Sequence, residues 1–551
     1  MDVLAADLAA RNPAYDKGWG VAVVPLREQL SGSIRPALVI LLGAVGLVLL
    51  IACTNISSLQ LARASGRSRE IAIRVSLGAS RGRIARQLLA ESILLGIIGG
   101  TLGTILAVWA TSALLGAAPS SLLDFAQTGI NGRILAFAAA VTLVASLLAG
   151  FVPAFLVSSG RPTSALPEGG RNSSIGRKSL LVRSALVVVE ISLAVVLLAG
   201  AGLLLQTFIR LMSVDTGFRT QHLLTFQISL PATKYDEPGR SSFFAQLLEK
   251  IRALPGVLSA SADVTPPFSG VGSATDFSIV GEAPRAIGEA HGTGVRVVEP
   301  DYFHTMGIPL LSGRSFTGRE FVEQSNVVVI NKALADKYFS GKNPIGQKII
   351  IDMKDENAAD ENVGVVGDVH LSDLAAAPFP VAYWPYAEMR YPVMSVLVRA
   401  AMPPESLVGP IREIVTELDK EQPIAKIATM DQLIGNSLAR SRFTTLLLSC
   451  FAGIAVVLAC IGIYGVMAYS VAQRTQEIGI RMALGAQRAD VLRMVLRQGL
   501  RLAAIGVAIG VAAAMAVARL MTTLLYGVSA GDPLTFIGVA VLLSCEALMA
   551  C

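Results

Sequence analysis

The chain has 551 residues, 53% of them hydrophobic and 16% charged, with mean hydropathy +0.60 and a formal net charge of +6. Soluble domains carry about 25% charged residues, so this composition belongs to a membrane protein. The basic excess is unevenly spread: residues 208–440 hold 21 basic against 27 acidic side chains, so the net positive charge lies in the apolar remainder. There it reports orientation and lipid contact rather than nucleic-acid binding.

Met1–Leu30 carries Asp2, Asp7, Arg11, Asp16 and Lys17 and no secretory signal. It reads as a remnant of a first external domain, and the chain is expected to be cut at its front. Seven apolar stretches follow, each near the roughly 20 residues that span a bilayer. They are about 35–59, 87–116, 134–158, 184–207, 444–470, 500–523 and 534–551. Their many Gly and Ala residues predict close packing into a bundle. The loops after the first, third and fifth stretches are rich in Arg, whereas 117–133 and 524–533 carry almost no basic charge. That alternation sets the Arg-rich loops in the cytoplasm and residues 208–440 outside.

The domains expected are therefore a remnant (1–30), a first three-span unit (31–158), a Gly/Pro/Ser-rich cytoplasmic linker (159–183), one further span (184–207), a large external domain (208–440) and a second three-span unit (441–551). Each unit carries an Arg-rich segment between its first two spans, about 63–86 and 471–493. Within the external domain the patterning predicts strands at 223–230, 257–264, 295–298, 327–330, 348–352, 363–369, 393–400 and 424–429. It predicts helices at 241–254, 331–339 and 405–418, and a helix capped by Asp431 that runs into the fifth span. The expected fold class is an α-helical polytopic membrane protein of about seven spans with a large α+β external domain, an α+β sandwich with an inserted subdomain.

All five cysteines lie in or at the end of apolar runs, so the external domain has no disulfide framework and no Cys-based metal site. Its four histidines, His222, His291, His304 and His370, lack metal-ligand spacing, and Asp352–Glu361 lacks the glycine and spacing of a Ca²⁺ loop, which leaves a solvated acidic loop. No G-x-x-x-x-G-K-[ST] loop is present, so if ATP drives this protein a separate chain binds it. Glu190 and Glu91 fall near the cytoplasmic ends of their spans, where snorkelling or pairing with Arg183 and Arg86 is expected, and no acid suggests a proton-coupled pathway. The chain is expected not to be an enzyme and to hold no cofactor or metal.

One segment occurs twice. Arg67–Gly82 (RSREIAIRVSLGASRG) and Arg474–Ala489 (RTQEIGIRMALGAQRA) align Glu70 with Glu477, Arg74 with Arg481 and Leu77-Gly78-Ala79 with Leu484-Gly485-Ala486. Each predicts an amphipathic helix on the cytoplasmic surface, with glycine able to end it. The arginines alone fit anionic-lipid contact. The repeated Glu and Leu-Gly-Ala fit a docking element for a partner, and the two roles are compatible.

This repeated pattern resembles the cytoplasmic coupling region of type VII ABC-transporter permeases, the MacB, FtsX and LolC/LolE-like proteins. Leu50–Asn55, Tyr302–Pro309 and Asn343–Gly346 fit as well, and the whole resembles the duplicated MacB-like permeases of acidobacterial genomes. The resemblance implies a bacterial inner-membrane protein with a periplasmic core domain, on which a cytoplasmic ATPase dimer (MacB/LolD-like) docks and supplies ATP and Mg. It implies docking surfaces at Glu70, Ile71, Arg74, Leu77, Gly78 and Ala79, and at Glu477, Ile478, Arg481, Leu484, Gly485 and Ala486. It further implies mechanotransmission, in which ATP-driven closure of the ATPase moves the periplasmic domains for efflux or export, with a periplasmic adaptor or outer-membrane component as a further partner. The alternative within the same family is an FtsX-like regulatory protein that transports nothing.

Overall fold

The computed structural model describes the chain except residues 1, 12–22, 27, 29–34, 68–69, 71–72, 75–76, 78, 118–130, 160–173, 271, 283–290, 323–324, 352, 354–357, 474 and 551. It divides into two compact units. One comprises Met1–Leu26 and Leu211–Ala439, the other Arg27–Arg210 and Arg440–Cys551.

The second unit is helical. Among the described residues seven helices of the chain are long and apolar enough to cross a membrane: Arg35–Ala64, Gly82–Ala113, Gly132–Phe155, Leu181–Met212, Met430–Gln473, Arg488–Leu520 and Pro533–Ala550. Each coincides with an apolar stretch of the sequence. Small residues set their spacing, because in lipid close backbone approach and hydrogen bonds must replace the hydrophobic effect. A Cβ on Gly96 would lie 1.8 Å from Ser146 Oγ, and one on Gly150 2.5 Å from Ser92 Oγ, so the second and third spans pack nearly backbone to backbone. The fourth span is the central one, with Val187, Ile191, Val195 and Ala199 buried. Gly506 and Gly510 of the sixth span receive Ile191 and Val195 of the fourth, with virtual Cβ distances of 2.8 and 2.6 Å. At the same register of the repeat, Gly99 and Gly103 of the second span meet no atom within 4 Å.

The first unit is the α+β domain. Eleven strands form one sheet among the described residues: β1 (Leu223–Ser229), β2 (Val257–Asp263), β3 (Ser273–Ile279), β4 (His291–Val298), β5 (Leu310–Gly313), β6 (Val327–Asn331), β7 (Lys348–Ile351), β8 (Ala359–Val366), β9 (Val381–Pro385), β10 (Val393–Ala400) and β11 (Ala425–Thr429). Strands β11, β1, β10 and β2 are antiparallel neighbours. The helices Glu237–Arg252 and Val408–Leu418 bury Phe244, Leu247, Ile251, Ile411 and Val415 into the core that this sheet supplies. A single bridge, Asp263 to Val298, leads to a second part, where β4, β3, β7, β8, β6 and β9 close into a ring through the parallel β4–β9 pair. This ring, inserted between β2 and β10, is the inserted subdomain of the sequence reading.

Several buried polar side chains of the ring have specific partners. Trp384 is fully buried and its indole Nε1 donates to Asp360 Oδ2 at 2.8 Å. Asp360 is therefore not part of a solvated acidic loop, as its neighbours in sequence suggest; its carboxyl is fixed beneath β9. Asn331 caps the helix Lys332–Tyr338, its Oδ1 accepting from Leu334 N and Val381 N while its Nδ2 donates to Asp368 and to Phe379 O. His291 is packed against the Tyr338 ring at 4.3 Å with Glu282 3.2 Å away, and no group of metal-ligating side chains exists among the described residues.

Two local expectations change. The helix entering the fifth span is capped by Thr429 and not by Asp431: Gln432 N donates to Thr429 Oγ1, and Thr429 N donates back to Gln432 Oε1. That reciprocal T-x-x-Q box satisfies two orphan amides at once, which the Asp431 carboxylate, inside the first turn, does not. The predicted strand 363–369 is displaced to Ala359–Val366, where its register against β6 and β7 is fixed by pairing.

One surface cluster of this domain titrates. Tyr235 OH donates to Asp419 at 2.6 Å and Lys234 Nζ lies 2.9 Å from it. The tyrosine hydrogen bond and then the lysine hold the Asp419 carboxyl well below its ordinary value, down to about 2. A lowered folded-state value stabilises the fold above the unfolded-state value, and the gain is lost as pH falls toward the folded one. Asp419→Asn is therefore expected to flatten the acid limb of stability between about pH 4 and 2, read by hydrogen exchange at β1 and β11. An unchanged acid limb in the variant would remove Asp419 from the account.

Candidate docking segments and the buried node between spans

The second copy of the repeated segment forms the helix Thr475–Ala483. Its end is a complete Schellman motif: Ala486 N donates to Arg481 O, Gly485 N to Met482 O, and Gly485 takes φ +101, the left-handed conformation that glycine permits. Gln487 then caps the sixth span in a reciprocal box with Asp490. The first copy repeats the geometry where it is described. Ala79 N donates to Arg74 O and Leu77 N to Ile73 O, matching Ala486 to Arg481 and Leu484 to Ile480. Ile71 and Gly78 lie outside the described residues.

The charged residues are paired within each copy. Arg74 Nη2 lies 2.6 Å from Glu70 Oε1, and Arg481 Nη2 lies 2.6 Å from Glu477 Oε1, each an i, i+4 pair about half exposed. The second guanidinium branch reaches equivalent positions on the following helix, Gln87 Oε1 at 3.2 Å and Met494 Sδ at 3.3 Å. Such exposed pairs stabilise by a few tenths of a kcal/mol, so they orient the arginine without locking it. Glu and Arg, the groups expected to face a partner, thus form one composite group in each copy. Ile478 turns inward to a small crevice with Met467, Val471 and Val495, while Ala79 and Ala486 are half-buried. Leu77 and Leu484 do the reverse. Both are 82% exposed at the helix end, an apolar knob beside an ion pair, twice in one chain.

The expected snorkelling of Glu190 is not found. It is 2% exposed, and Asn55 of the first span donates to its Oε1 at 2.6 Å and to Leu458 O of the fifth span at 3.0 Å. Gly462 leaves the space: a Cβ there would lie 2.0 Å from Glu190 Oε2. Asn55 and Gly462 occupy the same register position of the repeat, so one copy supplies the donor and the other the room. Arg183 lies instead over the Tyr469 ring, its guanidinium 3.6 Å from the centroid. Glu91 is 3.7 Å from Arg67 and accepts from Gln87. Glu546 of the seventh span is as buried as Glu190, and its place at the end of an apolar run gave no signal of that.

Two family models agree with this architecture. The model of the MacB-like periplasmic core domain matches residues 184–414, and that of the FtsX-like permease C-terminal domain matches residues 42–162 and 449–549. The probable syringafactin export ATP-binding/permease protein SyfD of Pseudomonas syringae pv. tomato is 29% identical over 218 residues, 38% of this chain and 32% of that protein. The uncharacterized ABC transporter permease YknZ of Bacillus subtilis is 25% identical over 218 residues, 38% of this chain and 54% of that protein. The crystal structure of the periplasmic region of MacB from Actinobacillus actinomycetemcomitans covers 40% of this chain and 95% of that one, with 14% identity and a TM-score of 0.28. The chain spans about a third of the length of the export proteins it matches.

Proposed function

Because the chain belongs to the MacB/FtsX-like permeases of ABC transporters, with seven membrane helices and a periplasmic core domain, we propose that it is the membrane subunit on which a separate ATPase dimer docks. The two coupling segments are the sockets, one per ATPase protomer, and ATP-driven closure moves the helices and the periplasmic domain for export. On this reading the chain sits in the bacterial inner membrane, ATP and Mg are held by the partner, and an adaptor or outer-membrane component is met outside. The carrying observation is the repetition in detail: the same ion pair, the same C-terminal bond and an equally exposed Leu at both copies.

Leu77→Asp and Leu484→Asp test it, since side chains 82% exposed contribute little to folding. Central apolar anchors of an interface are worth about 2 kcal/mol or more each. Each single variant is expected to weaken co-purification with the ATPase encoded alongside, and the double variant to abolish it, with the chain still monodisperse in detergent. Undiminished co-purification of the double variant sinks the socket assignment.

A further inference from the structure

The external unit contains a cavity of about 830 Å³ that takes no part in ATPase docking. It is lined wholly from residues 211–438: Leu211, Leu258, Ile434 and Leu438 supply apolar wall, and Arg219 and Arg399 supply charge. Leu211 lies at the end of the helix Leu181–Met212, and Ile434 and Leu438 lie in the first turns of Met430–Gln473.

Two arginines and two aspartates line it, and the arginines are held by backbone groups. Arg399 Nε donates to Thr305 O at 2.6 Å, Nη1 to Gln221 O at 2.9 Å, and Nη2 to Arg219 O at 2.8 Å. These are neutral carbonyls. Among the described residues neither Arg399 nor Arg219 has a carboxylate partner, although Asp215 and Asp431 line the same cavity; Asp215 is turned to Gly217 N. Burial and then the neighbouring Arg219 push the Arg399 guanidinium below its ordinary value, as expected for two neighbouring cations in a partly desolvated site. A volume of this size accepts a molecule with a substantial apolar body, well beyond a bare phosphate. Apolar wall beside two arginines that no described carboxylate pairs suits an anionic amphiphile.

We propose that this cavity binds an anionic amphiphile, its carboxylate or phosphate headgroup at Arg219 with Arg399 behind, and its apolar body along Leu211, Ile434 and Leu438. This holds whether or not the coupling segments dock an ATPase. The headgroup chemistry has two sources, a phospholipid of the surrounding leaflet or a free fatty-acid-like molecule.

The test uses the purified full chain in a neutral detergent, with dansylundecanoic acid as fluorescent probe and its methyl ester as the uncharged control. A saturable fluorescence component is expected for the acid, absent in Ile434→Trp, which fills the wall. Arg219→Gln, a change at an exposed side chain, is expected to weaken binding about tenfold. Displacement by lysophosphatidylglycerol but not oleate assigns the site to lipid, and displacement by oleate to amphiphilic carboxylates generally. Equal binding of the methyl ester, an unchanged Arg219→Gln variant, or no saturable component overturns the proposal.

Discussion

Alanine at Gly506 or Gly510 is expected to destabilise the helical unit by about 1–3 kcal/mol each, whereas alanine at Gly99 or Gly103 is expected to cost nothing. Gly99 and Gly103 occupy the positions of Gly506 and Gly510 in the repeat but face different surroundings. At Gly506 the added Cβ would sit 2.8 Å from Ile191 Cβ and Cγ2, and at Gly510 2.6 Å from Val195 Cβ and 2.9 Å from Ser192 O. Backbone oxygen and branched Cβ atoms cannot swing aside, so the sixth span must move off the fourth. Ser192 Oγ also donates to Gly506 O at 2.9 Å, a bond that this displacement breaks. At Gly99 and Gly103 the same Cβ enters open space. The check is thermal inactivation in detergent by size-exclusion: lower midpoints for the 506 and 510 variants, unchanged midpoints for 99 and 103. Unchanged or raised midpoints at 506 and 510 would show that the higher helix propensity of alanine, and not contact with the fourth span, governs these positions.

This asymmetry marks the limit of what the sequence could say. The spans, the repeat and the strands β1, β2 and β10 were legible because their signals are local: hydropathy, spacing, alternation. Strand β9, Val-Ala-Tyr-Trp-Pro, was not, since it is buried on both faces and ends in proline, so it neither alternates nor runs long. Strand β3, Ser-Ala-Thr-Asp-Phe-Ser-Ile, is polar and exists because β4 and β7 flank it. The candidate site divides the same way. That Glu70 and Glu477 stand four residues from Arg74 and Arg481 is a helical spacing, readable at once; that Leu77 and Leu484 protrude while Ile478 turns inward depends on the neighbouring spans. Asp360 shows the reverse error, an acid in an acidic run whose partner, Trp384, lies 24 residues on.

Replacing Asn55 by Leu should destabilise the bundle by about 1–3 kcal/mol, and replacing Glu190 by Leu in the same chain should restore most of the loss. Asn55 is the one hydrogen-bond donor to Glu190 among the described residues, and its other bond is to the fifth-span carbonyl of Leu458. Removing it leaves a carboxyl 2% exposed among apolar helices with nothing to receive. Removing both partners instead leaves an apolar contact, which lipid-like surroundings tolerate. Measured interhelical hydrogen bonds in membranes average about 0.6 kcal/mol, so most of the single-variant loss is the orphaned carboxyl, and the double-variant cycle isolates it. Gly462→Ala should behave like Asn55→Leu, because its Cβ would lie 2.0 Å from Glu190 Oε2 and 2.7 Å from Asn55 Oδ1 and force the pair apart. Additive losses in the Asn55→Leu/Glu190→Leu chain would show that the two side chains act independently. A non-additive result would make Glu190 the point where the first, fourth and fifth spans hold a common register, a joint any motion passed from the coupling segments must keep or break.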